Sequence, residues 1–196
     1  MVDKNEVVAF FDALAPDWDA DMVISDLIVS TIMDNAGVDK GSKVLDVACG
    51  TGVLVPYYLN RGASSVVGID ISPAMIEIAR SKFQDLPVRF ICADAEIWRG
   101  GQQFDCIIIY NAFPHFSDSD KLFENLSSML ASGGRLSVAH GMSREKVNAH
   151  HSGSALRVSN GLPAAEDMAK LMSRYLEISA IISNNDMYQV CGKKKK

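Results

Sequence analysis

Three aspartates recur at a spacing of 24 residues: Asp46 in "VLDVACG", Asp70 in "VVGIDIS" and Asp94 in "FICADAE". Each follows or ends a short apolar, β-branched run, and the first run turns through Gly50-Thr51-Gly52 into an apolar pattern of helical period. A strand that ends at an acid and turns through Gly-x-Gly into a helix suits close approach of a ligand. Glycine allows tight dihedrals and leaves no side chain in the way, and the helix N-terminus offers unpaired N–H groups. A spacing of one βα unit puts all three acids at the carboxyl ends of parallel strands, where open α/β sheets place ligands. There, an acid after the second strand can accept both hydroxyls of a ribose, and one after the third can accept from an exocyclic amine. The loop alone also reads as a tight turn with no ligand; the two further acids favour the ligand.

The elements that must position these residues follow from periodicity. Strand-like runs stand at 43–47, 65–69, 88–92, 106–110 and 135–140, with helix-period segments between them. That alternation marks a parallel sheet with crossover helices, and "CIIIY", apolar on both faces, belongs in its middle. "SPAMIEIARSKF" opens with Ser72 as N-cap and Pro73 at the first helical position, then repeats Met75, Ile78, Ala79 and Lys82. "DSDKLFENLSSMLASGG" starts at a capping residue and is expected to stop at Gly133-Gly134. After a helix in "PAAEDMAKLMSRY", the runs "EISAIIS" and "YQVCGK" flank Asn184-Asn185-Asp186, a turn composition that favours a hairpin. The predicted architecture is α/β, a doubly wound, mostly parallel seven-stranded sheet ending in an antiparallel hairpin.

The ordered set "VLDVACGTGVL", "VVGIDISPAMIEIAR", "FICADAE", "FDCIIIYNAFPHF" and "LASGGRLSVAHG" resembles the class I S-adenosylmethionine-dependent methyltransferases, over roughly residues 40–192. The resemblance implies a Rossmann-like fold and S-adenosyl-L-methionine as cofactor. It implies that Ala48, Cys49, Gly50 and Gly52 pack against the methionine part, that Asp70 takes the ribose hydroxyls, and that Asp94 and Ala95 read the adenine. Asp46, Ile71, Met75, Tyr110 and Asn111 complete the expected cofactor-binding set. Ala48 stands where the family usually has glycine, a change expected to be tolerated if its φ stays negative. A nucleoside-triphosphate loop needs G-x-x-x-x-G-K-[ST], which is absent, and a nicotinamide site lacks its third glycine, with Val55 in that place.

Methyl transfer from a sulfonium is an in-line displacement, so holding the nucleophile close and aligned supplies most of the catalysis, up to roughly 7–11 kcal/mol of barrier. A base is needed only where the nucleophile must lose a proton. All four histidines of the chain fall in "YNAFPHF" and "AHGMSREKVNAHHSG". By its strand-end position His140 is the first expectation for a base or substrate partner, and His115 the second. A helix over 144–151 capped by Ser143 would align Arg144, Asn148 and His151 on one face, making them expected substrate contacts, with Arg144 suited to a carboxylate. A metal site from His115, His140 and His151 lacks H-x-x-x-H spacing, and no metal is expected. Phe10, Phe11, Leu14 and Trp18, in the helix-like "VVAFFDALAPDWDADM", are expected to pack on the core or to close a lid over cofactor and substrate, with Trp18 a substrate contact.

In 196 residues with 48% hydrophobic content, one main domain is expected. The expected divisions are a helical cap over 1–34, a methyltransferase domain over 35–192 with a substrate-pocket insertion at 143–162, and a basic tail at 193–196. Acids at positions 3, 6, 12, 17 and 19 do not fit a secretory signal, and the expectation is a cytoplasmic protein without membrane association. The cysteines lack C-x-x-C spacing, and three of them, Cys92 included, sit in apolar strand-like runs where cysteine behaves as a small hydrophobe. A net charge of −5 argues against a nucleic-acid partner, and "NAFPHF" lacks the Asn/Asp-Pro-Pro-aromatic pattern that base methylation uses in that family. The expected function is in-line methylation of a small molecule by a monomer or homodimer. A nucleic-acid or protein methyltransferase and a non-catalytic cofactor-binding protein are the alternatives.

Overall fold

A computed structural model of the chain describes residues 2–20, 22–150 and 157–195. Its elements run α1 (Lys4–Leu14), a 3-10 turn (Ala15–Asp17), α2 (Asp26–Ala36), β1 (Lys43–Val47), α3 (Val55–Asn60), β2 (Ser65–Asp70), α4 (Pro73–Lys82) and β3 (Val88–Cys92). They continue with β4 (Phe104–Tyr110), a 3-10 turn (Phe113–His115), α5 (Ser119–Ser128), β5 (Leu130–His140), α6 (Arg144–His150), α7 (Ala165–Met172), β6 (Leu176–Ser183) and β7 (Tyr188–Lys194).

The seven strands lie in the order β3-β2-β1-β4-β5-β7-β6. Pairs from β3 to β5 are parallel, and β7 runs antiparallel between β5 and β6. The chain winds outward from β1 through β2 and β3, then returns to lay β4 on the other side. That reversal opens a crevice at the carboxyl ends of β1 and β4, the place where such sheets bind ligands. Core side chains fill both faces of the sheet. On one, Phe123 and Leu126 of α5 and Met168 and Met172 of α7 meet Ile107, Ile109 and Val138. On the other, Met33 of α2, Tyr58 of α3 and Ile76 and Ala79 of α4 meet Val44, Val66 and Ile108.

The caps form where the residue types placed them. Ser72 Oγ accepts from Met75 N at 3.1 Å, and Asp118 Oδ1 accepts from Lys121 N at 3.0 Å. In α4, Ile76 rather than Ile78 joins Met75 and Ala79 in the core. The Asn184 side chain accepts from Asp186 N and Met187 N and so closes the terminal hairpin.

Three expectations of local structure are corrected. The helix expected to reach Gly133-Gly134 ends at Ser128, and those glycines lie inside β5, which starts at Leu130. Between its pairing of Phe104 with Leu130 and of Cys106 with Arg135, β5 carries three extra residues. A side chain at Gly134 would meet the carbonyl oxygens of Phe104 and Asp105 at 2.9 and 3.0 Å, so this bulge, and not a helix stop, needs the glycine. The basic tail is also structured in part: Lys193 and Lys194 end β7, and Lys195 Nζ donates to the Ser173 and Arg174 carbonyls beyond α7. Cys92, expected to behave as a buried hydrophobe, is exposed.

Candidate functional site

The turn after β1 is tightly wound. Ala48, Gly50 and Gly52 all take positive φ, at 54°, 53° and 85°. For Ala48 the condition of a negative φ is not met: an L-residue is held in the left-handed region, at a cost of roughly 1–2 kcal/mol. Gly52 is required twice, by its φ and because a side chain there would meet Phe83 at 2.6 Å. Cys49 N donates to Ile69 O at 3.0 Å and Gly50 N donates to Asp70 Oδ2 at 2.9 Å, which ties the turn to β2.

The three acids meet different surroundings. Asp46 is 2% exposed, and its Oδ2 has no hydrogen-bond partner. Burial pushes its carboxyl up to about 8; the nearby Tyr58 hydroxyl opposes this and the Asp70 charge adds to it, although neither Tyr58 Oη nor Asp46 Oδ2 makes a well-formed hydrogen bond. Asp70 is braced, with Oδ2 on Gly50 N and Oδ1 on Ser72 N, both at 2.9 Å. Burial raises its carboxyl and those backbone donors pull the other way. Asp94 accepts from Glu96 N through Oδ1 and from the Lys4 ammonium through Oδ2 at 2.6 Å. Lys4 also reaches Glu96 Oε2 at 2.5 Å. Burial works against the Lys4 charge, but these two partners outweigh it and raise the ammonium.

Asp46, Asp70 and Asp94 line one cleft at the crevice, together with Ala48, Cys49, Gly50, Ile71, Met75, Ala95, Tyr110 and Asn111. Gly52 lies outside the lining and shapes the turn. The N-terminal segment roofs the cleft through Lys4, Val7, Phe11 and Trp18, and Met22, Val23 and Ile24 extend the wall. Three side chains fasten this roof: Lys4 on Asp94 and Glu96, Asp12 on Ser72 Oγ and Ala74 N, and Asp19 on Thr51 Oγ1 and Lys82 Nζ. Apart from Phe11 and Trp18, the roofing residues, Glu96 and Phe116 were not singled out in the sequence. Their signals are long-range pairings that no local pattern displays.

The histidines separate. His115 lines the cleft, with Nδ1 at 2.6 Å from Val158 O and its ring edge-on to Phe11 at 4.9 Å. His140, the first expectation for a base, is 2% exposed, stands beside Tyr188 in the β5–β7 ladder with the rings edge-on at 6.1 Å, and is not among the residues lining the cleft. A side chain at the last position of β5 can point to either face of the sheet, which strand-end placement alone does not decide. Ser143 caps α6 as expected, with Oγ accepting from Lys146 N at 3.3 Å. Arg144 and Asn148 do share a face, but it points at Leu162. Arg144 Nε and Asn148 Nδ2 donate to Leu162 O, and Asn148 Oδ1 accepts from Leu162 N. They line a separate shallow groove with Phe113 and Ser119 and do not reach the cleft. His151 lies outside the described residues, so the three histidines considered as a metal set are not gathered among them.

This geometry fits a cationic, nucleoside-bearing ligand: a buried carboxyl with an unpartnered oxygen, two more acids in reach, and a glycine turn without a phosphate-binding lysine. Comparison with known proteins agrees. A family model described as a methyltransferase domain matches residues 44–134. The malonyl-[acyl-carrier protein] O-methyltransferase of Acetivibrio thermocellus is 34% identical over 142 residues, covering 71% of this chain and 50% of that protein. The ubiquinone biosynthesis O-methyltransferase of Coxiella burnetii is 31% identical over 144 residues, covering 69% of this chain and 61% of that one. The chain thus spans about half to three-fifths of the length of these two relatives. In fold it is similar to the N-methyltransferase NodS of Bradyrhizobium japonicum, solved with S-adenosyl-L-homocysteine, at a TM-score of 0.75 and 14% identity over 98% of this chain and 99% of that one. Among the described residues, no helix is long and apolar enough to cross a membrane.

Proposed function

From the premise that the chain belongs to the class I S-adenosylmethionine-dependent methyltransferases, we propose that it binds S-adenosyl-L-methionine in the cleft and methylates a small molecule. When bound, the cofactor supplies a methyl group activated by its sulfonium. The carrying observation is the buried Asp46, whose Oδ2 has no partner and which lines the same cleft as Asp70 and Asp94.

In this reading the turn at 48–52 and Asp46 take the cationic amino-acid end, Asp70 takes the ribose, and Asp94 with Ala95 takes the adenine. Asp94 reaches the adenine amine only as Lys4 shifts toward Glu96, which already holds it. Phe11, Trp18 and Phe116 exclude water from the acceptor side, and His115 accepts a proton from the atom that is methylated. The two relatives above carry names of O-methyltransferases, and a hydroxyl acceptor, which must lose its proton, is consistent with a base at this position. The formal charge of −5 supports a small-molecule substrate over a nucleic acid. We further propose that the protein acts in the cytoplasm, as a monomer or homodimer.

The test is transfer of labelled methyl from S-adenosyl-L-methionine to a panel of small hydroxylated acceptors, with the native chain and His115→Ala. The expected outcome is turnover that falls about 100-fold or more in the variant, the range of general-base catalysis, with cofactor affinity retained. Undiminished turnover in His115→Ala would remove the histidine from the mechanism.

A further inference from the structure

Residues 158–160, in the segment that leads from α6 to α7, grip the loop carrying His115 at three points. Val158 O stands 2.6 Å from His115 Nδ1, Asn160 N donates to Pro114 O at 2.8 Å, and Asn160 Nδ2 donates to Phe116 O at 2.9 Å. The two Asn160 bonds therefore bracket His115 on both sides. The strap itself is anchored at either end. Val158 is buried against Val2 and Val7, and both backbone polar atoms of Leu162 are held by Arg144 and Asn148. Sequence reading offered Arg144 and Asn148 as substrate contacts; their bonds make them anchors of this strap.

A carbonyl oxygen has no proton to give, so at this distance His115 Nδ1 must carry the hydrogen. A neutral imidazole has one N–H, and the lone pair that can take a proton is then on Nε2. We propose that Asn160, acting with the Val158 carbonyl, is a positioning residue that fixes His115 in the Nδ1–H tautomer and so makes the ring a proton acceptor rather than a donor. This rests on the methyl-transfer reading. As the accepting atom bonds to the methyl carbon, the carbon–sulfur electron pair stays with sulfur and the acceptor's proton passes to Nε2. The resulting imidazolium keeps its Nδ1–H on the Val158 carbonyl.

The experiment needs no known acceptor. Long-range proton–nitrogen correlation spectra of the full chain, labelled with nitrogen-15, report which ring nitrogen of each neutral histidine carries hydrogen. The chain has four histidines, and the spectrum of His115→Gln assigns the relevant one. The native protein is expected to show His115 as the Nδ1–H form. In Asn160→Ala the ratio of Nδ1–H to Nε2–H is expected to fall about fivefold or more, the scale of one ordinary hydrogen bond. Should that variant fail to fold by far-ultraviolet circular dichroism, Asn160→Asp keeps the backbone donor and the side-chain shape while removing the Nδ2 donor, and the same fall is expected. An Nε2–H ring in the native protein, or a folded variant with the native ratio, would overturn the proposal. Titrating the same samples with S-adenosyl-L-homocysteine keeps the cofactor reading separate, because loss of that binding leaves the tautomer result standing.

Discussion

Asp46 makes the stability of the cofactor-free protein depend on pH in an unusual direction. Burial holds its carboxyl at about 8 in the folded chain, against 3.8 for the ordinary side chain, a difference of about four units. Between those two values the folded state keeps a proton that the unfolded state has lost, so stability falls as pH rises. At 1.36 kcal/mol per unit, the whole shift is worth on the order of 5 kcal/mol, and from pH 5 to pH 7 this one group contributes a slope of about −1.4 kcal/mol per unit. Asp46→Asn keeps the shape and removes the titration. Its amide adds an unpartnered donor, which offsets stability by an amount that does not vary with pH. Urea unfolding of both proteins at pH 5, 6 and 7 isolates the slope. The variant is expected to gain on the native chain by about 1.4 kcal/mol for each unit of rising pH. A difference that stays constant across the range, or that moves the other way, would refute the reasoning that the folded protein holds Asp46 neutral.

Other substitutions probe the neighbouring geometry. Ala48→Gly releases a left-handed alanine worth roughly 1–2 kcal/mol and adds unfolded-chain entropy of roughly 0.4–1 kcal/mol, so a net stabilisation of about 0.5–1 kcal/mol is expected in the urea midpoint. Glu96 accepts from Ser117 N, Ser117 Oγ and Asp118 N as well as Lys4, and its side chain is 2% exposed. Burial alone would raise its carboxyl, but Lys4 and these donors hold it below the ordinary value. Its contribution is therefore present above pH 4.5 and lost as the solution is acidified through the lowered value. Glu96→Gln is expected to cost about 2 kcal/mol at pH 7, a difference from the native chain that shrinks in acid unfolding curves. Arg144→Ala and Asn148→Ala are expected to leave cofactor affinity within about twofold, a factor of about 0.4 kcal/mol, because neither side chain lines the cleft. A tenfold loss in a calorimetric titration would put them back in the site.

Local chemistry made much of this molecule legible. β1 and β3 occupy the residues their β-branched runs marked, Ser72 and Asp118 cap their helices, and three acids one βα unit apart arrive in one cleft. These features depend on residues within a few positions of each other, or on the regular length of a repeating unit. What escaped depends on distant partners. The left-handed φ of Ala48 is imposed by a turn tied to β2 through Cys49 and Gly50. Gly133-Gly134 looked like a helix stop because the carbonyls of Phe104 and Asp105, which need the space, are some thirty residues earlier in the chain. That His115 and not His140 lines the cleft has the same origin, since which face a strand-end residue takes and which loop is gripped by 158–160 are decided by tertiary packing. Lys4 is 90 residues from Asp94, and nothing near either residue announces their pairing.

The acid-lined cleft is expected to hold S-adenosyl-L-methionine. Calorimetric titration of the folded chain with S-adenosyl-L-methionine and S-adenosyl-L-homocysteine, beside Asp70→Ala, tests it most directly. Saturable binding on the order of micromolar Kd, about −8 kcal/mol, is expected for the native chain, with its loss in the variant. A native chain that is folded and shows no binding of either ligand would contradict it.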